Sequence, residues 1–305
     1  MVASTCIIAG GIRSETKTVT GYDVGEIMID INNFSSHSVE NFDINLLQKE
    51  VDGGVITIGQ IDEIEKYPEA KSIIISGLKQ DTFEYFVSKY GNQFEAISFW
   101  KNKSVEDLSR LGSLKNIRYI HYYYNQRATD LWDMSGNEKL IGLAIYDFSK
   151  LHNIGKIKTS ANLTNFQLGD AVTPGMIVQS LSPILDTKIT HFEWWGKTVE
   201  DKDFSCLAKS SIEELDINPT QFTVEELADL LAQFPPSLKG SITRPYTKTG
   251  VQDKSGYHEY YHLCKRKRMC EKGEDDERFQ KYLDEFCSLL DEKEGAKFQF
   301  VKELI

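Results

Sequence analysis

The chemistry-bearing residues of this chain crowd most closely at His258-Glu259-Tyr260-Tyr261-His262, which matches the pattern H-E-x-x-H. On a helix, two histidines four residues apart share a face and can hold zinc while the glutamate activates a bound water for hydrolysis. The uncharged neighbours suit that motif. Its surroundings read equally well as a strand, because aromatic residues alternate after Gly256, and in a strand Glu259 points away from both histidines. No H-x-x-G-x-x-H extension follows, so a third ligand has to be a distant carboxylate such as Glu274 or Glu285. A zinc-dependent hydrolase is therefore the alternative function. A second grouping, His258, His262, Cys264 and Cys270, has ligand types that suit zinc but spacings that match no standard finger. The run Lys265-Arg266-Lys267-Arg268 reads as a solvated strand end in a chain of net charge -11. No phosphate loop, nucleophile elbow or dinucleotide fingerprint is present. No catalytic residue, metal ligand or cofactor is assigned.

A second set of side chains is dispersed and periodic. Trp100, Tyr123, Tyr146 and Trp195 each occupy the seventh place of a nine-residue phrase. The phrase recurs as FEAISFWKN from Phe94, IRYIHYYYN from Ile117, LIGLAIYDF from Leu140, LTNFQLGDA from Leu163, ITHFEWWGK from Ile189 and IEELDINPT from Ile212. Its starts are 23, 23, 23, 26 and 23 residues apart. The first, fourth and sixth places are apolar in every copy, which describes a short strand with alternate side chains buried, then a turn. Self-similarity at such a period marks a solenoid, in which each coil covers its neighbour's core.

The phrase resembles the leucine-rich repeat, LxxLxLxxN, with Asn102 and Asn125 in the ninth place. The copy from Phe94 continues with Val105, Leu108, Leu111 and Leu114 apolar, as in the short-repeat subclass of bacterial internalins. Phe148, Ala171, Lys197 and Thr220 replace the expected Asn, so the asparagine ladder should be incomplete. The resemblance covers about half the chain or somewhat more. It implies an α/β fold: a leucine-rich-repeat-like right-handed solenoid with parallel strands on the concave face and helices or irregular turns on the convex side. It also implies interaction with another macromolecule, without naming one.

Around the repeats, residues 1–50 read as a β-rich N-terminal cap, with strands at Thr5-Cys6-Ile7-Ile8-Ala9 and Glu26-Ile27-Met28-Ile29-Asp30-Ile31. Residues 51–238 form the solenoid. Its first two coils are degenerate, with strands expected at Val55-Ile56-Thr57-Ile58 and Ser72-Ile73-Ile74-Ile75. A helix is expected over Thr82–Tyr90, and another after Thr223, where Glu226 three residues on makes a capping box. Residues 239–305 read as an α+β C-terminal cap or small appended domain. Strands are expected at SITRPY and GYHEYYHLCKRKRM around a polar loop, then an amphipathic helix from Glu274 to Lys293, Gly295 as its stop, and a closing strand from Lys297 to Leu304.

The third, fifth, seventh and eighth places of each phrase should face away from the coil's core. Binding is therefore assigned to Trp100, Lys101, Tyr119, His121, Tyr123, Tyr124, Tyr146, Asp147, His191, Glu193 and Trp195. Large aromatics ringed by polar groups are what interfaces use as anchors. The face is aromatic with Lys101 and Arg118 early, and acidic with Glu193, Glu213, Glu214 and Asp216 late. A protein or peptide with an apolar patch and a basic end matches it; a carbohydrate, which stacks on Trp and Tyr, is also a candidate. Net charge -11 and a pI near 5.1 oppose nucleic acid and anionic membranes. No apolar run approaches a membrane span. Five scattered cysteines and no visible signal segment point to a reducing, cytoplasmic compartment, with secretion left open.

Overall fold

The computed structural model describes residues 42–171 and 175–293. The strands expected before residue 42, Gly295 and the closing strand lie outside these. The main sheet has eight strands, all parallel, in the order β1-β2-β3-β4-β5-β6-β8-β10. They are β1 (Ile44–Leu46), β2 (Ser72–Ser76), β3 (Ala96–Trp100), β4 (Tyr119–Asn125), β5 (Gly142–Phe148), β6 (Asn165–Gly169), β8 (His191–Trp195) and β10 (Glu214–Ile217). Two further short strands, β7 (Ile177–Val178) and β9 (Thr198–Val199), pair with each other. The protein is thus a mixed α/β chain whose main-sheet strands lie side by side in sequence order, as a coiled repeat requires.

The register explains the sequence pattern. Fourth-place residues align directly across the sheet: Ile97, Ile120, Leu143, Phe166, Phe192 and Leu215. All eighteen first-, fourth- and sixth-place side chains from Phe94 to Ile217 are buried. Burying each such side chain contributes roughly 1.5–3 kcal/mol, which is the reason the period is kept. Behind the sheet, short 3-10 turns at Ser109–Ser113, Gly155–Thr159 and Ser182–Asp186 supply Leu111, Ile157 and Ile184 to the same core. A regular helix, α1 (Gln80–Lys89), replaces the turn between β2 and β3 and buries Phe83, Phe86 and Val87.

The asparagine ladder exists where Asn occurs. Asn102 Nδ2 donates to the Ile75 carbonyl at 3.0 Å, and its Oδ1 accepts the Leu78 amide at 2.7 Å. Asn125 Nδ2 donates to the Val105 carbonyl at 2.7 Å and its Oδ1 accepts the Arg127 and Ala128 amides. One coil on, Phe148 is buried and meets the Tyr122 ring edge-on at 5.0 Å. Apolar packing there takes over the turn-closing role.

The coil after β6 is wider by the three residues already visible in the spacing. Asp170 accepts the Gly175 and Met176 amides, and β7 and β9 add a second ladder. Gly169 has φ +152, and a Cβ there would lie 2.5 Å from the Trp195 carbonyl carbon. Only glycine allows the neighbouring strand to pass so close.

Two local expectations are corrected. Val55-Ile56-Thr57-Ile58 is not a strand: Thr57 caps a single helical turn, Ile58–Ile61, through reciprocal bonds with Gln60. In the C-terminal unit the strand is not SITRPY but β11 (Tyr246–Gln252), which takes most of the expected polar loop. It is an edge strand with one buried residue, Tyr246, so polar side chains serve it well. It pairs antiparallel with β12 (Tyr257–Leu263), and β13 (Cys270–Glu271) completes the small sheet. The capping box at Thr223 and Glu226 is present and starts α2 (Val224–Leu231). The final described helix, α3 (Asp276–Asp291), packs Phe279 flat on Tyr261 with ring centroids 4.1 Å apart.

Candidate binding face of the sheet

The third, fifth and seventh places fall in rows across the sheet. The seventh-place row runs Trp100, Tyr123, Tyr146, Gly169, Trp195 in direct register. The fifth-place row runs Ser98, His121, Ala144, Gln167, Glu193, Asp216, and the third-place row Ala96, Tyr119, Gly142, Asn165, His191, Glu214. Alternation along each strand sends these side chains to the face opposite the core.

The early part of this face is aromatic. Trp100 and Tyr123 are half-buried, and their rings lie against each other with centroids 4.5 Å apart and planes tilted by 35°. Tyr119 lies on the same face at the other end of β4, with the Arg118 guanidinium 5.8 Å from its ring. Tyr124 is half-buried, with Gln126 donating to its hydroxyl at 2.7 Å. Lys101 lies 5.7 Å from the Trp100 ring and donates to the Val51 carbonyl at 2.6 Å. Eighth-place residues Lys101, Tyr124 and Asp147 share a left-handed backbone, with φ 51, 64 and 55. This conformation costs roughly 1–2 kcal/mol for a residue with a Cβ and turns each side chain outward at the strand end. Asp147 carries a second cost: burial, reinforced by the Asp170 carboxylate, pushes its acid up to about 6.

Two assigned residues do not stand in solvent. His121 is buried, with Nδ1 2.8 Å from Ser98 Oγ. Tyr146 is also buried, and its hydroxyl reaches Gln167 Oε1 at 2.9 Å and Glu193 Oε1 at 2.8 Å. The reason is the company they keep. Their row neighbours Ser98, Ala144 and Gly169 are small, so the large rings lie over them and are covered. Burial pushes the Tyr146 phenol up, and the Glu193 charge adds to it.

The late part of the face is acidic. Glu193 is raised by burial; the Tyr146 hydroxyl opposes that rise and Asp216 adds to it. His191 sits between Glu214 and Asp216, with Nδ1 3.4 Å from Glu214 Oε2 and Nε2 3.5 Å from Asp216 Oδ2. Trp195 is half-buried beside Gly169. Both the Ser98–His121 and the Tyr146–Glu193 bond follow from the register, which sets Ser98 beside His121 and puts Gln167 and Glu193 one row over from Tyr146.

The C-terminal motif is a strand, not a helix. His258 and His262 lie within β12, and Glu259 falls on the side of buried Tyr261 and Leu263, where Lys272 pairs with it at 3.2 Å. His258 Nδ1 is 2.6 Å from Glu271 Oε1 and its Nε2 is 2.9 Å from Ser255 Oγ. The Glu271 contact raises the His258 pKa. Arg266 holds the Glu285 carboxylate with two bonds of 2.7 Å, and Arg278 donates to the Cys270 sulfur. The geometry that H-E-x-x-H needs for hydrolysis is therefore not built. The cause is long-range: pairing with β11 and packing on Phe279. Lys265, Arg266 and Arg268 are paired with Glu226, Glu285 and Asp275, as a solvated turn would have them. A groove of about 600 Å³ lined by Lys197, Lys202, Phe204, Phe222, Glu226 and Lys265 includes none of the assigned face residues. Among the described residues no helix is long and apolar enough to cross a membrane.

No family model matches this sequence, and no curated protein matches it. Among solved structures, the chain is similar to an internalin from Listeria monocytogenes at 14% identity and a TM-score of 0.36. The likeness covers 60% of this chain and 56% of that one. A likeness this loose leaves the reading to the strands and side chains themselves.

Proposed function

We propose that this chain is a non-enzymatic binding module. In this reading residues 51–238 are a leucine-rich-repeat-like right-handed solenoid closed at its ends by residues 1–50 and 239–305. A protein or peptide partner lies on the concave sheet face. Trp100, Tyr119, Tyr123 and Tyr124 anchor it through apolar and stacking contacts, Lys101 borders the anchor, and Trp195 offers a further ring at the acidic end. Glu193, with His191, Glu214 and Asp216, orients a basic end of the partner. Asp147 contributes at the strand edge, and His121 and Tyr146 support the face from beneath.

The observation that carries this reading is the contiguous group of Trp100, Tyr123 and Tyr124 at the ends of β3 and β4, with Tyr119 at the start of β4. These four rings lie on adjacent strands where the core does not need them, and each keeps part of its surface in water. Tyr and Trp in such a setting are the residues that contribute most at interfaces.

The test is site-specific photocrosslinking in cells. Benzoylphenylalanine at Tyr119 or Tyr123 is expected to capture one defined protein, identified by mass spectrometry. The same probe at exposed Tyr67, on the turn before β2, is the control. Crosslinks from Tyr67 with none from the face would overturn the proposal.

A further inference from the structure

We infer that His191, Glu214 and Asp216 form a divalent-cation site of the zinc or manganese class at the acidic end of the sheet face. One ligand atom from each lies within 4.8 Å of the others, and among the described residues no other His, Cys, Asp and Glu grouping of three meets this condition. The site needs no partner to form; it shares its residues with the acidic end proposed to orient a partner, and none with the aromatic group on β3 and β4.

The backbone converges these groups. His191 and Glu214 are directly opposed on β8 and β10, and Asp216 is two residues along the same face of β10. The Nε2 to Oδ2 separation of 3.5 Å is the informative distance. Ligand atoms about 2.0–2.2 Å from a tetrahedral zinc lie roughly 3.3–3.6 Å from one another. Glu214, half-exposed, can rotate to close the third position. One imidazole and two carboxylates form a nitrogen and oxygen donor set that suits zinc or manganese more than calcium or magnesium.

Three further observations point to a ligand. First, Asp216 is already oriented: the Ser241 amide donates to its Oδ1 at 2.7 Å and leaves Oδ2 directed at His191. Such an outer bond is how metal carboxylates are fixed. Second, His191 Nε2 makes no hydrogen bond shorter than its 3.5 Å ion contact with Asp216 Oδ2, Asn165 Oδ1 is a buried atom without a hydrogen-bond partner among the described residues, and the two side chains are neighbours in one row. A buried imidazole nitrogen without a hydrogen bond is costly, and a metal or a metal-bound water satisfies it. Third, Glu214 and Asp216 place two carboxylates against the two ring nitrogens of His191, their ion-pair partner among the described residues. A divalent cation bound there is matched by two opposite charges, and Lys239, in register beside Glu214, bounds the site on its other flank.

The test uses the cation alone. The purified full chain is stripped with chelator and titrated calorimetrically with Zn²⁺ and with Mn²⁺, and Co²⁺ is added separately to read its visible absorption. One equivalent should bind, and Co²⁺ should give the bands of a nitrogen and oxygen site. His191→Ala and Asp216→Asn should each weaken binding more than ~10-fold. His258→Ala should leave it unchanged, since His258 faces Glu271 and Asp253 in the C-terminal hairpin. Circular dichroism melts check folding; Glu214→Gln, which alters a half-exposed side chain, replaces any variant that does not fold. Absence of saturable binding, binding that survives the His191 and Asp216 variants, or binding lost with His258 would each overturn the inference. Because no partner is used, these outcomes are separate from those that test the binding face.

Discussion

The two ends of the sheet face share one backbone plan and solve it with opposite chemistry. At the β3–β4 end the face is aromatic and the turns are closed by Asn102 and Asn125, polar groups buried with their bonds made. At the β8–β10 end the face is acidic. The turn there is held by Trp194, whose indole donates to Gln221 at 3.1 Å while Gln221 donates to the Gly196 carbonyl at 3.0 Å. The register continues unbroken through both. The repeat therefore demands buried first, fourth and sixth places and a closed turn, and it is indifferent to how the turn is closed. That indifference leaves the outward places free to diverge into an aromatic end and a charged end.

The largest effects should come from the two turn closers. Trp194→Ala removes a fully buried ring and should cost about 3–5 kcal/mol in urea unfolding, with Trp194→Phe recovering most of it. Asn125→Ala strands two amides and a carbonyl and should cost about 2–4 kcal/mol. If either change is nearly silent, that end of the sheet is not held as described. Gly169→Ala comes next. It places a Cβ against the Trp195 backbone at an unfavourable φ and should lower stability by about 1–3 kcal/mol. The same change at exposed, helical Gly59, whose Cβ meets nothing, should not lower it.

The smallest effect is a pH dependence at the boundary between the ends. The folded state raises the Asp147 acid to about 6 from its ordinary 3.8, so the folded chain holds that proton more tightly than the unfolded one. The resulting stabilisation is complete below about pH 4 and is lost as pH rises through 6. Asp147→Asn should remove this loss and melt about 2 °C higher than wild type at pH 8, the gain kept small by solvent screening of a half-exposed group. A wild-type melting point that rises between pH 4 and 7 relative to the Asn variant would reverse the assigned sign.

The core was legible because burial writes a period: Ile97, Ile120 and Leu143 are apolar for one reason repeated at one spacing. The turn asparagines were legible because a buried amide has few substitutes. Two features were hidden. The burial of His121 and Tyr146 depends on small neighbours one strand away, which a single phrase does not display. The strand state of the segment from Tyr257 to Leu263 was legible in its alternating aromatics, and pairing with β11 and packing on Phe279 hold it against the helical alternative. The helical turn after Val55 did carry a local signal, Thr57 with Gln60 three residues on, masked by three β-branched residues. Of the assigned face, the rows and their order followed from the register, whereas which members remain accessible depended on side-chain sizes across strands.

The central claim is that the aromatic end binds a partner and is not simply core. Its most direct test is calorimetric affinity of the crosslinked partner, purified, for wild type and for the double variant Trp100→Ala with Tyr123→Ala, alongside melting temperature. The account predicts an affinity loss of at least ~100-fold, as two interface anchors would give, with melting lowered by only a few degrees. Unchanged affinity, or a collapse in melting like that expected for Trp194→Ala, would contradict it.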